Sequence, residues 1–467
     1  MADINLEIFR EYDIRGSAEK DLTPGFVFLL GKVIGKYFRD QGEDLVLVGR
    51  DNRLSSGRIR DNLVAGLNAA GCKITDIGVA VSPLFYYARI LYCINAGVMI
   101  TASHNPAEFN GFKIANGPGT IYGDEIKSLG KLAAEMNRTE LINPQTVDES
   151  KVEMRDPAPS YLMMLCEKIK LGPRKIKVVV DCGNGTAGLF AERFFHMLGC
   201  EVIPLFCESD GNFPNHHPDP VKSSHLKWLQ ETVLREKADA GIGFDGDGDR
   251  LGVVDDKGGI IWGDRLMILY WREILPQYPG IVSIVEVKCS QTLVEEIIKL
   301  GGKPMFYRTG HSLIKAKMRE IGAVFTGEMS GHMFFADEYY GFDDALYAAG
   351  RLLRILSRTS KSLSELFEDV PRYPSTAETR VFCADKDKFR VVEDIRDQFR
   401  KTNEVIDVDG ARILFSGGWG LVRASNTQPV IVARCEGKNN DDLQEIADKI
   451  RRALLSFPEV TPFEWDY

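Results

Sequence analysis

Three aspartates separated by single glycines form the motif of this sequence with the clearest chemistry. Asp245, Asp247 and Asp249 lie in the segment DGDGDR, between two apolar runs typical of strands. Carboxylates this close repel one another unless a cation lies among them, and an all-oxygen ligand set favours Mg²⁺ over zinc. A solvated acidic turn is the plain alternative. An EF-hand loop fits less well, because it needs glycine where Arg250 stands and glutamate where Asp256 stands. The spacing predicts a metal site.

A serine follows another apolar run, in the segment TASHNP at residues 101–106. At such a strand-to-loop junction Ser103, with His104 beside it, can act as a nucleophile or a phosphate carrier. The same residues also suit an ordinary turn or a helix cap, since asparagine and proline favour turns and serine satisfies exposed amides. No GxSxG segment occurs in the sequence, so an α/β-hydrolase is not indicated.

Two further polar loops follow apolar runs in the second half of the chain. GEMSGH at 327–332 contains a carboxylate that can accept paired hydrogen bonds from neighbouring sugar hydroxyls. GLVRASNTQP at 420–429 combines a guanidinium with hydroxyl and amide donors, a set that suits a phosphate monoester. Surface turns are the alternative for each loop. Together with the aspartates, the loops predict a site for an anion, a metal and a polyol. Their candidate residues are Glu328, Ser330, His332, Arg423, Ser425, Asn426 and Thr427.

The elements that must position these motifs alternate between strands and helices. Short runs rich in valine, isoleucine and leucine each end in a glycine-rich or polar loop, and segments such as 224–237 have helical periodicity. Strands that are apolar throughout suit sheets covered on both faces, so we predict an α/β fold. Because ligands gather at the carboxyl ends of strands in such sheets, the polar loops can line one cleft. We predict strands at 45–51, 96–106, 175–185, 238–249, 281–287 and 323–332, and a helix at 440–455.

The length of the chain and its breaks predict four domains. A chain of 467 residues exceeds what one hydrophobic core usually organises. Breaks rich in proline or glycine occur at 156–160, 255–259 and 370–375. We predict domains at 1–155 with the serine loop, 156–260 with the aspartate loop, 261–372 with GEMSGH and 373–467 with the arginine loop.

Composition and charge exclude several classes of function. A net charge of −9 disfavours nucleic acid as a partner. The nine cysteines are odd in number and never form CxxC, which predicts reduced thiols in a cytosolic protein. The segment MADINLEIFREYDIRG has no apolar secretory region, and the apolar stretch at 78–102 is interrupted by Pro83, Arg89 and Asn95. We therefore expect a cytoplasmic protein with neither a nucleic-acid nor a membrane partner.

Other functions stay open when the motifs are taken singly. GNGTAG at 183–188 follows an apolar run and precedes a helical segment, which is the context of a dinucleotide-binding site. GIGFDG at 241–246 matches the same pattern inside the aspartate motif, so the pattern has little specificity. A non-catalytic sugar-phosphate binding protein would need the Arg423 loop but not Ser103 together with three aspartates. Neither GxxxxGKS nor GxxxxGKT occurs, which argues against a P-loop kinase.

Taken together, the four motifs resemble those of the α-D-phosphohexomutase superfamily, in particular its phosphomannomutase/phosphoglucomutase branch. TASHNP is similar to the phosphoserine loop, DGDGDR to the metal loop, GEMSGH to the sugar loop and RASNT to the phosphate loop, in the same order and over essentially the whole chain. Met329 within GEMSGH is similar to the residue found in the branch that acts on both mannose and glucose phosphates. One departure is Asn52, which stands where glycine is common in the family. Further similar stretches are FREYDIRG (9–16), GRDNRLSS (49–56), NGFK (110–113), FPNHHPDP (213–220) and RTGHS (308–312).

The resemblance implies three α/β domains with mixed sheets and a C-terminal α+β domain around a central cleft. It implies a mutase that interconverts hexose 1-phosphate and hexose 6-phosphate, of mannose, glucose or both, through a phosphoserine and a 1,6-bisphosphate intermediate. A phosphoglucosamine mutase of the same superfamily is the alternative, and a dinucleotide-dependent oxidoreductase is a more distant one. The implied cofactors are one Mg²⁺ per chain and an activator, glucose 1,6-bisphosphate or mannose 1,6-bisphosphate. The implied partners are small sugar phosphates, and the implied state is a monomer or a homodimer.

The resemblance also implies a role for each candidate residue. Ser103 is expected to carry the phosphate and to bind the metal together with Asp245, Asp247 and Asp249. The other expected catalytic residues are His104, Lys113, Arg250 and His332, of which Lys113 and His332 are the candidates for proton transfer. The expected substrate-binding residues are Tyr12, Arg15, His311, Glu328, Ser330, Arg423, Ser425, Asn426 and Thr427.

Overall fold

The structure is a computed structural model that describes residues 4–139, 145–426 and 428–465. Its contacts divide the chain into two compact units. The first unit consists of the residues up to Leu266 together with Ser330–Leu366, and the second of Met267–Met329 together with the residues from Phe367 onward. Both units combine strands and helices, which agrees with the α/β class expected from the sequence.

The first sheet of the first unit contains seven strands. The strands and helices of this region are β1 (Ile14–Ser17), α1 (Pro24–Asp40), β2 (Leu45–Arg50), α2 (Ser56–Ala69), β3 (Lys73–Val79), α3 (Ser82–Leu91), β4 (Ala96–Ile100), β5 (Phe109–Asn116), β6 (Gly119–Thr120), α4 (Asp124–Thr139), β7 (Val152–Met154) and α5 (Ala158–Lys168). The strand order is β1-β5-β4-β2-β3-β7, with β6 beside β5. β4 is parallel to β2 and antiparallel to β5, so the sheet is mixed. β4 is buried along its whole length, as its unbroken apolar sequence predicts.

The second sheet of the first unit has five strands and positions the aspartate motif. Its elements are β8 (Lys177–Asp181), α6 (Ala191–Met197), β9 (Glu201–Leu205), α7 (Lys227–Glu236), β10 (Ala240–Phe244), β11 (Leu251–Asp255) and β12 (Ile260–Ile261). The strand order is β12-β11-β10-β8-β9, with β10 parallel to β8 and antiparallel to β11. DGDGDR is therefore the turn of the β10–β11 hairpin, between two strands that are fully buried.

The residues after Ile261 contribute to both units, and most of them belong to the second. Their elements are α8 (Gly263–Ile274), β13 (Val282–Glu286), α9 (Gln291–Lys299), β14 (Lys303–Tyr307), α10 (His311–Ile321), β15 (Phe325–Gly327), β16 (Met333–Phe335), α11 (Ala345–Ser357), β17 (Thr379–Phe382), α12 (Lys388–Phe399), β18 (Val405–Ile406), β19 (Ala411–Phe415), β20 (Gly418–Ala424), β21 (Val430–Gly437) and α13 (Asn440–Leu455). Of these, β16 and α11 belong to the first unit. In the second unit β13 and β14 are parallel neighbours, and β17-β21-β20-β19-β18 form an antiparallel sheet with α12 and α13 packed against it.

Two expectations drawn from composition concern membrane spans and thiols. Across the three described ranges, every helix is too short or too polar to cross a membrane. All nine cysteines are free, and six of them are buried, as expected for core thiols.

Candidate active site

Ser103 lies in the loop that follows β4 and is buried, with 1% of its surface exposed. Its backbone φ of 51° is left-handed, a conformation that costs a non-glycine residue about 1–3 kcal/mol and that clusters at functional sites. Its backbone N–H donates to Thr101 Oγ1 at 2.9 Å. Its hydroxyl donates to Asp245 Oδ2 at 2.7 Å and lies 3.2 Å from His104 Nδ1. Folding thus brings the serine loop against the aspartate motif.

The three aspartates of the β10–β11 turn are all buried. Asp245 Oδ1 accepts hydrogen bonds from the backbone N–H groups of Asp249, at 3.0 Å, and Arg250, at 3.1 Å. These bonds curl the turn around the Asp245 carboxylate. One carboxylate oxygen each from Asp245, Asp247 and Asp249 lies within 4.8 Å of the others, so the turn gathers the three charges at one point.

Gly246 lies where the aspartate turn closely approaches the serine loop. A Cβ atom at this position would lie 2.4 Å from the carbonyl oxygen of Ser103, so a side chain here would displace one of the two loops. The carbonyl oxygen of Gly246 accepts a hydrogen bond from the backbone N–H of Thr186 at 2.9 Å. Thr186 belongs to GNGTAG, and a Cβ at Gly188 of that segment would lie 2.1 Å from the carbonyl oxygen of Cys207. The glycines of GNGTAG therefore serve close packing beneath the aspartate turn.

One lysine from the first sheet neutralises part of the aspartate charge. Lys113 on β5 donates to Asp247 Oδ2 at 2.7 Å and also contacts Asp249 Oδ2. Ser82, the first residue of α3, donates its hydroxyl to the same Asp247 oxygen at 2.6 Å and accepts from Lys113 at 3.0 Å. Its backbone N–H donates to the Asp247 carbonyl at 2.8 Å. Two elements of the first sheet region thus fix the position of Asp247, which belongs to the second sheet region.

The charges of the cluster shift the pKa values of its members in opposite directions. Burial raises the pKa of Asp245 well above its ordinary value, and the negative charges of Asp249 and Asp247 add to the rise. Burial also acts on Asp249, but Lys113 and His332 outweigh it and hold the pKa of Asp249 well below its ordinary value. Burial opposes the charge of Lys113, yet Asp247 and Asp249 raise the lysine pKa well above its ordinary value. The positive charges beside the cluster therefore do not compensate Asp245, whose pKa stays raised.

The chemistry of the donor set fits a metal ion. Asp247 Oδ1 is buried and accepts no hydrogen bond from any of the residues described in the structure. A buried carboxylate oxygen without a donor is unfavourable, and a cation beside it would remove the penalty. Carboxylate and hydroxyl oxygens are hard ligands, and Ser103 Oγ stands next to the cluster. The buried acidic cluster can therefore bind a hard divalent cation.

Arg250 and His332 lie beside the same cluster in the first unit. Their backbones form an isolated β-bridge, and Arg250 Nε lies 3.3 Å from His332 Nε2. His332 Nε2 is also 3.2 Å from Asp249 Oδ1, and its Nδ1 is 3.3 Å from Ser330 Oγ. Asp343 adds a further buried carboxylate, with an oxygen within 4.8 Å of ligand atoms of Asp249 and His332. The structure thus places Arg250, Ser330 and His332 close to the carboxylates.

Three more predicted residues are His104 within the serine loop, Arg15 in contact with it, and Tyr12 before β1. Burial lowers the pKa of His104 well below its ordinary value, and the charges of Arg250 and Arg15 lower it further, so its ring is neutral near pH 7. Arg15 Nη1 donates to Asn105 Oδ1 at 3.2 Å, within the TASHNP loop. Tyr12 is half-buried in the segment that precedes β1.

The second unit brings together residues of the predicted sugar loop and of RTGHS. The backbone N–H of Gly310 donates to Glu328 Oε1 at 2.8 Å, and His311 is the first residue of α10. Glu286, at the end of β13, accepts hydrogen bonds from Thr309 Oγ1 and from the backbone N–H of Met329. Burial raises the pKa of Glu286. Two buried glutamates therefore lie beside the RTGHS loop.

The predicted phosphate loop joins β20 to β21 as a hairpin, as the sequence indicated. Arg423 Nε donates to Asp409 Oδ2 at 3.0 Å, and the same oxygen accepts from the backbone N–H of Thr309 at 3.1 Å. Arg423 is thereby linked to the RTGHS loop through one carboxylate. Of the other predicted residues, Ser425 and Asn426 lie in the hairpin loop, and Thr427 lies outside the described residues.

Comparison with known families gives one consistent result along the chain. Four phosphoglucomutase/phosphomannomutase family models match in order: alpha/beta/alpha domain I at residues 6–140, domain II at 159–259, domain III at 262–373 and the C-terminal domain at 378–453. The chain belongs to this family. It therefore has the four-domain α/β architecture of the family, which confirms the predicted fold class and the resemblance from which it was drawn.

Individual relatives agree with this assignment. A phosphomannomutase/phosphoglucomutase of Pseudomonas putida is 44% identical over 96% of this chain and 95% of its own length. A phosphoglucomutase of Neisseria gonorrhoeae is 38% identical over 98% of this chain and 99% of its own. A crystal structure of a phosphoglucomutase/phosphomannomutase family protein from Burkholderia thailandensis has a TM-score of 0.89 and 40% identity, and covers 97% of this chain and 98% of that one.

Membership and whole-length similarity establish the class of reaction. The chain is an intramolecular phosphotransferase, a hexose phosphate mutase, as the sequence motifs predicted. Neither the oxidoreductase nor the P-loop kinase considered from the sequence is supported. The GxGxxG pattern of GNGTAG is instead explained by the packing of its glycines.

Three buried polar or charged residues were not predicted from the sequence, and two of them contact predicted site residues. Ser82 binds Asp247, and Arg53 donates to backbone carbonyls of the serine loop. Lys288, after β13, pairs with Glu378 at 2.9 Å in the second unit. Arg53 lies in GRDNRLSS, a stretch noted for its resemblance, whereas Ser82 before a proline has the signature of an ordinary helix start.

Proposed function

We propose that Ser103, when phosphorylated, transfers its phosphoryl group to the free hydroxyl of a hexose 1-phosphate or hexose 6-phosphate. The observation that supports this most strongly is the 2.7 Å hydrogen bond from Ser103 to Asp245, within a buried cluster of three carboxylates that also contains Lys113. A serine of ordinary structural function has no need of three buried carboxylates and a strained backbone.

Each half of the reaction is a phosphoryl transfer between oxygens. The bond from phosphorus to Ser103 Oγ breaks while a bond from phosphorus to the sugar oxygen forms, which gives a 1,6-bisphosphorylated hexose. The proton of the sugar hydroxyl passes to a base, and Ser103 Oγ takes up a proton from an acid and leaves as the hydroxyl. We assign these proton transfers to His332 and Lys113, which lie beside Asp249. After the bisphosphate turns around, the original phosphate returns to Ser103 by the reverse steps.

Asp245, Asp247 and Asp249, together with Ser103, would hold one Mg²⁺ per chain. The ion, when bound, supplies positive charge to the transferring phosphoryl group. The donor-free Asp247 Oδ1 and the all-oxygen set support this assignment. Lys113 and Arg250 add positive charge from the protein, and neutral His104 supports the loop of Ser103 without adding charge to it. We expect glucose 1,6-bisphosphate or mannose 1,6-bisphosphate to act as activator by phosphorylating Ser103.

The substrate contacts follow the chemistry of the remaining loops. Glu328 and Ser330 suit the hydroxyls O3 and O4, which lie near the axis about which the bisphosphate turns. A site that contacts O3 and O4 does not separate glucose from mannose, which differ at C2, so we propose both as substrates. Met329, as found in the bifunctional branch, supports this choice over glucosamine phosphate. The residues proposed to bind the non-reacting phosphate are Arg423, Ser425, Asn426 and Thr427, and those proposed to contact the substrate elsewhere are Tyr12, Arg15 and His311.

The domain limits, cellular location, oligomeric state and partners are also proposals. We propose domain limits at 1–155, 156–260, 261–372 and 373–467, a cytoplasmic location and a monomer or homodimer. The nine free cysteines support a reducing compartment. Small sugar phosphates are the proposed partners, and the net charge of −9 argues against nucleic acid.

One set of assays tests the proposed function. Intact-protein and peptide mass spectrometry of active enzyme should find phosphate on Ser103, and Ser103→Ala should lose most turnover. Ser150→Ala, an exposed serine of the same unit, is the matched control. Separate assays with mannose 1-phosphate, glucose 1-phosphate and glucosamine 1-phosphate, each with Mg²⁺ and a trace of glucose 1,6-bisphosphate, rank the substrates. Full turnover by Ser103→Ala would reject the mechanism, and a preference for glucosamine phosphate would reject the proposed specificity.

A further inference from the structure

The carbonyl oxygens of the serine loop are held from one side by a single buried arginine. Arg53 Nη2 donates to the carbonyl oxygen of Ser103 at 2.7 Å and to that of Asn105 at 2.6 Å. Its Nη1 donates to the carbonyl oxygens of Pro106, at 2.6 Å, and Phe109, at 3.1 Å. One guanidinium thus gathers four carbonyl groups from the loop that begins at the proposed phosphate carrier.

Arg53 is itself held in place. Its Nε donates to Asp51 Oδ2 at 3.0 Å, and the Asp51 carboxylate also accepts from the Arg53 backbone N–H and from the hydroxyl of Ser56. The Arg53 side chain is 0% exposed and that of Asp51 is 1% exposed. Burial of a guanidinium is unfavourable unless its N–H groups find acceptors. Buried Arg53 therefore needs the surrounding oxygens in fixed positions, which a surface arginine does not. Only a planar fork of donors reaches this many oxygens at once.

The contacts of Arg53 bear directly on the strained backbone of Ser103. A left-handed φ at a non-glycine residue persists only where the surroundings fix the backbone. The hydrogen bond from Arg53 to the carbonyl oxygen of Ser103 fixes the backbone at this residue. The carbonyl oxygen of Ser103 accepts from Arg53 and also lies close to Gly246, where a Cβ atom would be only 2.4 Å away, so it has little freedom to move. The adjacent carbonyl of His104 contacts His217 Nε2 in the same way. Side chains of Arg53 and His217 therefore hold the consecutive carbonyl oxygens of Ser103 and His104.

We propose that Arg53 is a positioning residue for phosphoryl transfer, which fixes the loop of Ser103 so that a phosphate on its Oγ faces the aspartate cluster. This role rests on the proposed function, in which Ser103 carries the phosphate. Arg53 holds the loop through hydrogen bonds to its backbone carbonyls, and its charge also acts on Asp247 from a distance. A lysine at this position keeps that charge but not the fork of donors, so Arg53→Lys isolates the positioning contribution. The expected consequence is an effect on the rate of transfer with little effect on the affinity for sugar phosphate.

The test compares Arg53→Lys with Arg58→Lys. Arg58, on α2, also donates to backbone carbonyls, those of Leu22 at 3.1 Å and Ala18 at 2.9 Å, neither of which belongs to the serine loop. Purified enzymes are phosphorylated with glucose 1,6-bisphosphate, and the loss of phosphate to added glucose 1-phosphate is followed by rapid quench and intact mass. The KM for glucose 1-phosphate and thermal unfolding are measured in parallel.

A positioning role predicts a transfer rate about 10- to 100-fold lower in Arg53→Lys, with KM changed less than about twofold, because small misplacements of a reacting group have effects of that size. Arg58→Lys should transfer at the wild-type rate. Folded Arg53→Lys with wild-type transfer, or with a loss that appears only in KM, would overturn the role. If Arg53→Lys does not fold, Asp51→Asn takes its place, and wild-type transfer by folded Asp51→Asn would overturn the role equally. Absence of phosphate from Ser103 in wild type would instead reject the proposed function, so the two failures are distinct.

Discussion

Ser82 binds Asp247 twice: its hydroxyl donates to the carboxylate at 2.6 Å and its backbone N–H donates to the carbonyl at 2.8 Å. The first turn of α3, in the region of the first sheet, thereby fixes the carboxylate of Asp247 in the β10–β11 turn of the second sheet. The same hydroxyl accepts from Lys113 at 3.0 Å, so one serine orients both a carboxylate and its counter-charge. Removal of the hydroxyl leaves the backbone bond intact, which makes Ser82 a clean probe of the orientation of the carboxylate.

Ser82→Ala should weaken the response to Mg²⁺ while leaving the fold in place. Loss of a group that orients a metal ligand typically lowers metal affinity about 10- to 100-fold, and one of two bonds to Asp247 remains, so we expect the lower end. Mg²⁺ binding by titration calorimetry, together with turnover against Mg²⁺ concentration, measures the change. Ser128→Ala is the control, since Ser128 is an exposed α4 residue whose hydroxyl donates only to the backbone of its own helix. An unchanged Mg²⁺ titration for Ser82→Ala would contradict the arrangement.

Lys113→Met should destabilise the protein, and Mg²⁺ should partly restore stability. The variant leaves buried Asp247 and Asp249 without their lysine, and loss of one partner of a buried ion pair costs about 3–5 kcal/mol. A divalent cation among the carboxylates would replace part of the missing charge. Thermal unfolding with Mg²⁺ and with chelator should therefore show a larger Mg²⁺ effect in Lys113→Met than in wild type.

An exposed lysine of the same unit provides the comparison for Lys113. Lys127 pairs with Glu11 at 3.5 Å on the surface, where such pairs contribute about 0–1 kcal/mol. Lys127→Met should unfold close to the wild-type temperature with and without Mg²⁺. An equal Mg²⁺ effect in all three proteins would show that the lysine and the ion do not act on the same carboxylates.

The sequence predicted the elements of the fold better than their ends. The helix expected at 440–455 is α13, with the same bounds, because a capping asparagine and an amphipathic pattern define it locally. The strand expected at 323–332 is shorter: β15 ends at Gly327, and Gly331 has a φ of 90°, which no strand continues through. The segment 224–237 begins its α-helix only at Lys227, after a short 3-10 turn. Caps and glycine conformations set these boundaries, and a pattern of apolar residues carries no information about either.

The residues of the candidate site divide in the same way. The aspartates and Ser103 carry their chemistry in their own motifs, so residue type and spacing were enough to select them. Ser82 and Arg53 act through partners 165 and 50 residues away in the sequence, and no local pattern reports such a contact. The role of Ser82 depends on how two sheets pack, and that of Arg53 on the pairing of β2 with β4 within one sheet, and both arise only in the folded unit.

Gly246→Ala should disrupt the serine loop without unfolding the protein. The added methyl group would lie 2.4 Å from the carbonyl oxygen of Ser103, a backbone atom that cannot move without moving the serine. A displacement of the order of 1 Å at a reacting group lowers turnover about 100-fold. Steady-state kinetics and the rate of Ser103 phosphorylation measure the loss. Gly57→Ala, on α2 with open space around the new methyl group, should keep wild-type turnover. Equal activity of the two variants would show that the close approach does not constrain the serine.

Acid should weaken the second unit through the Lys288–Glu378 pair. The charge of Lys288, 2.9 Å away, lowers the pKa of Glu378 from its ordinary 4.5 to about 2. Because the folded-state pKa lies below the unfolded one, the contribution of this carboxylate to stability is complete above about pH 4.5 and is lost as pH falls toward about 2. The shift corresponds to about 3 kcal/mol.

Glu378→Gln isolates this contribution from that of the other carboxylates. The variant should be less stable than wild type near pH 7, and the difference in free energy of unfolding should shrink as the pH falls from about 4.5 toward 2, since wild-type Glu378 is then protonated as well. Urea unfolding followed by tryptophan fluorescence at a series of pH values measures this difference. Glu445→Gln, which removes one partner of an exposed pair with Lys449, should follow the wild-type curve. A constant gap between Glu378→Gln and wild type across this pH range would mean that Glu378 does not titrate there, and that its effect on stability comes from packing instead of charge.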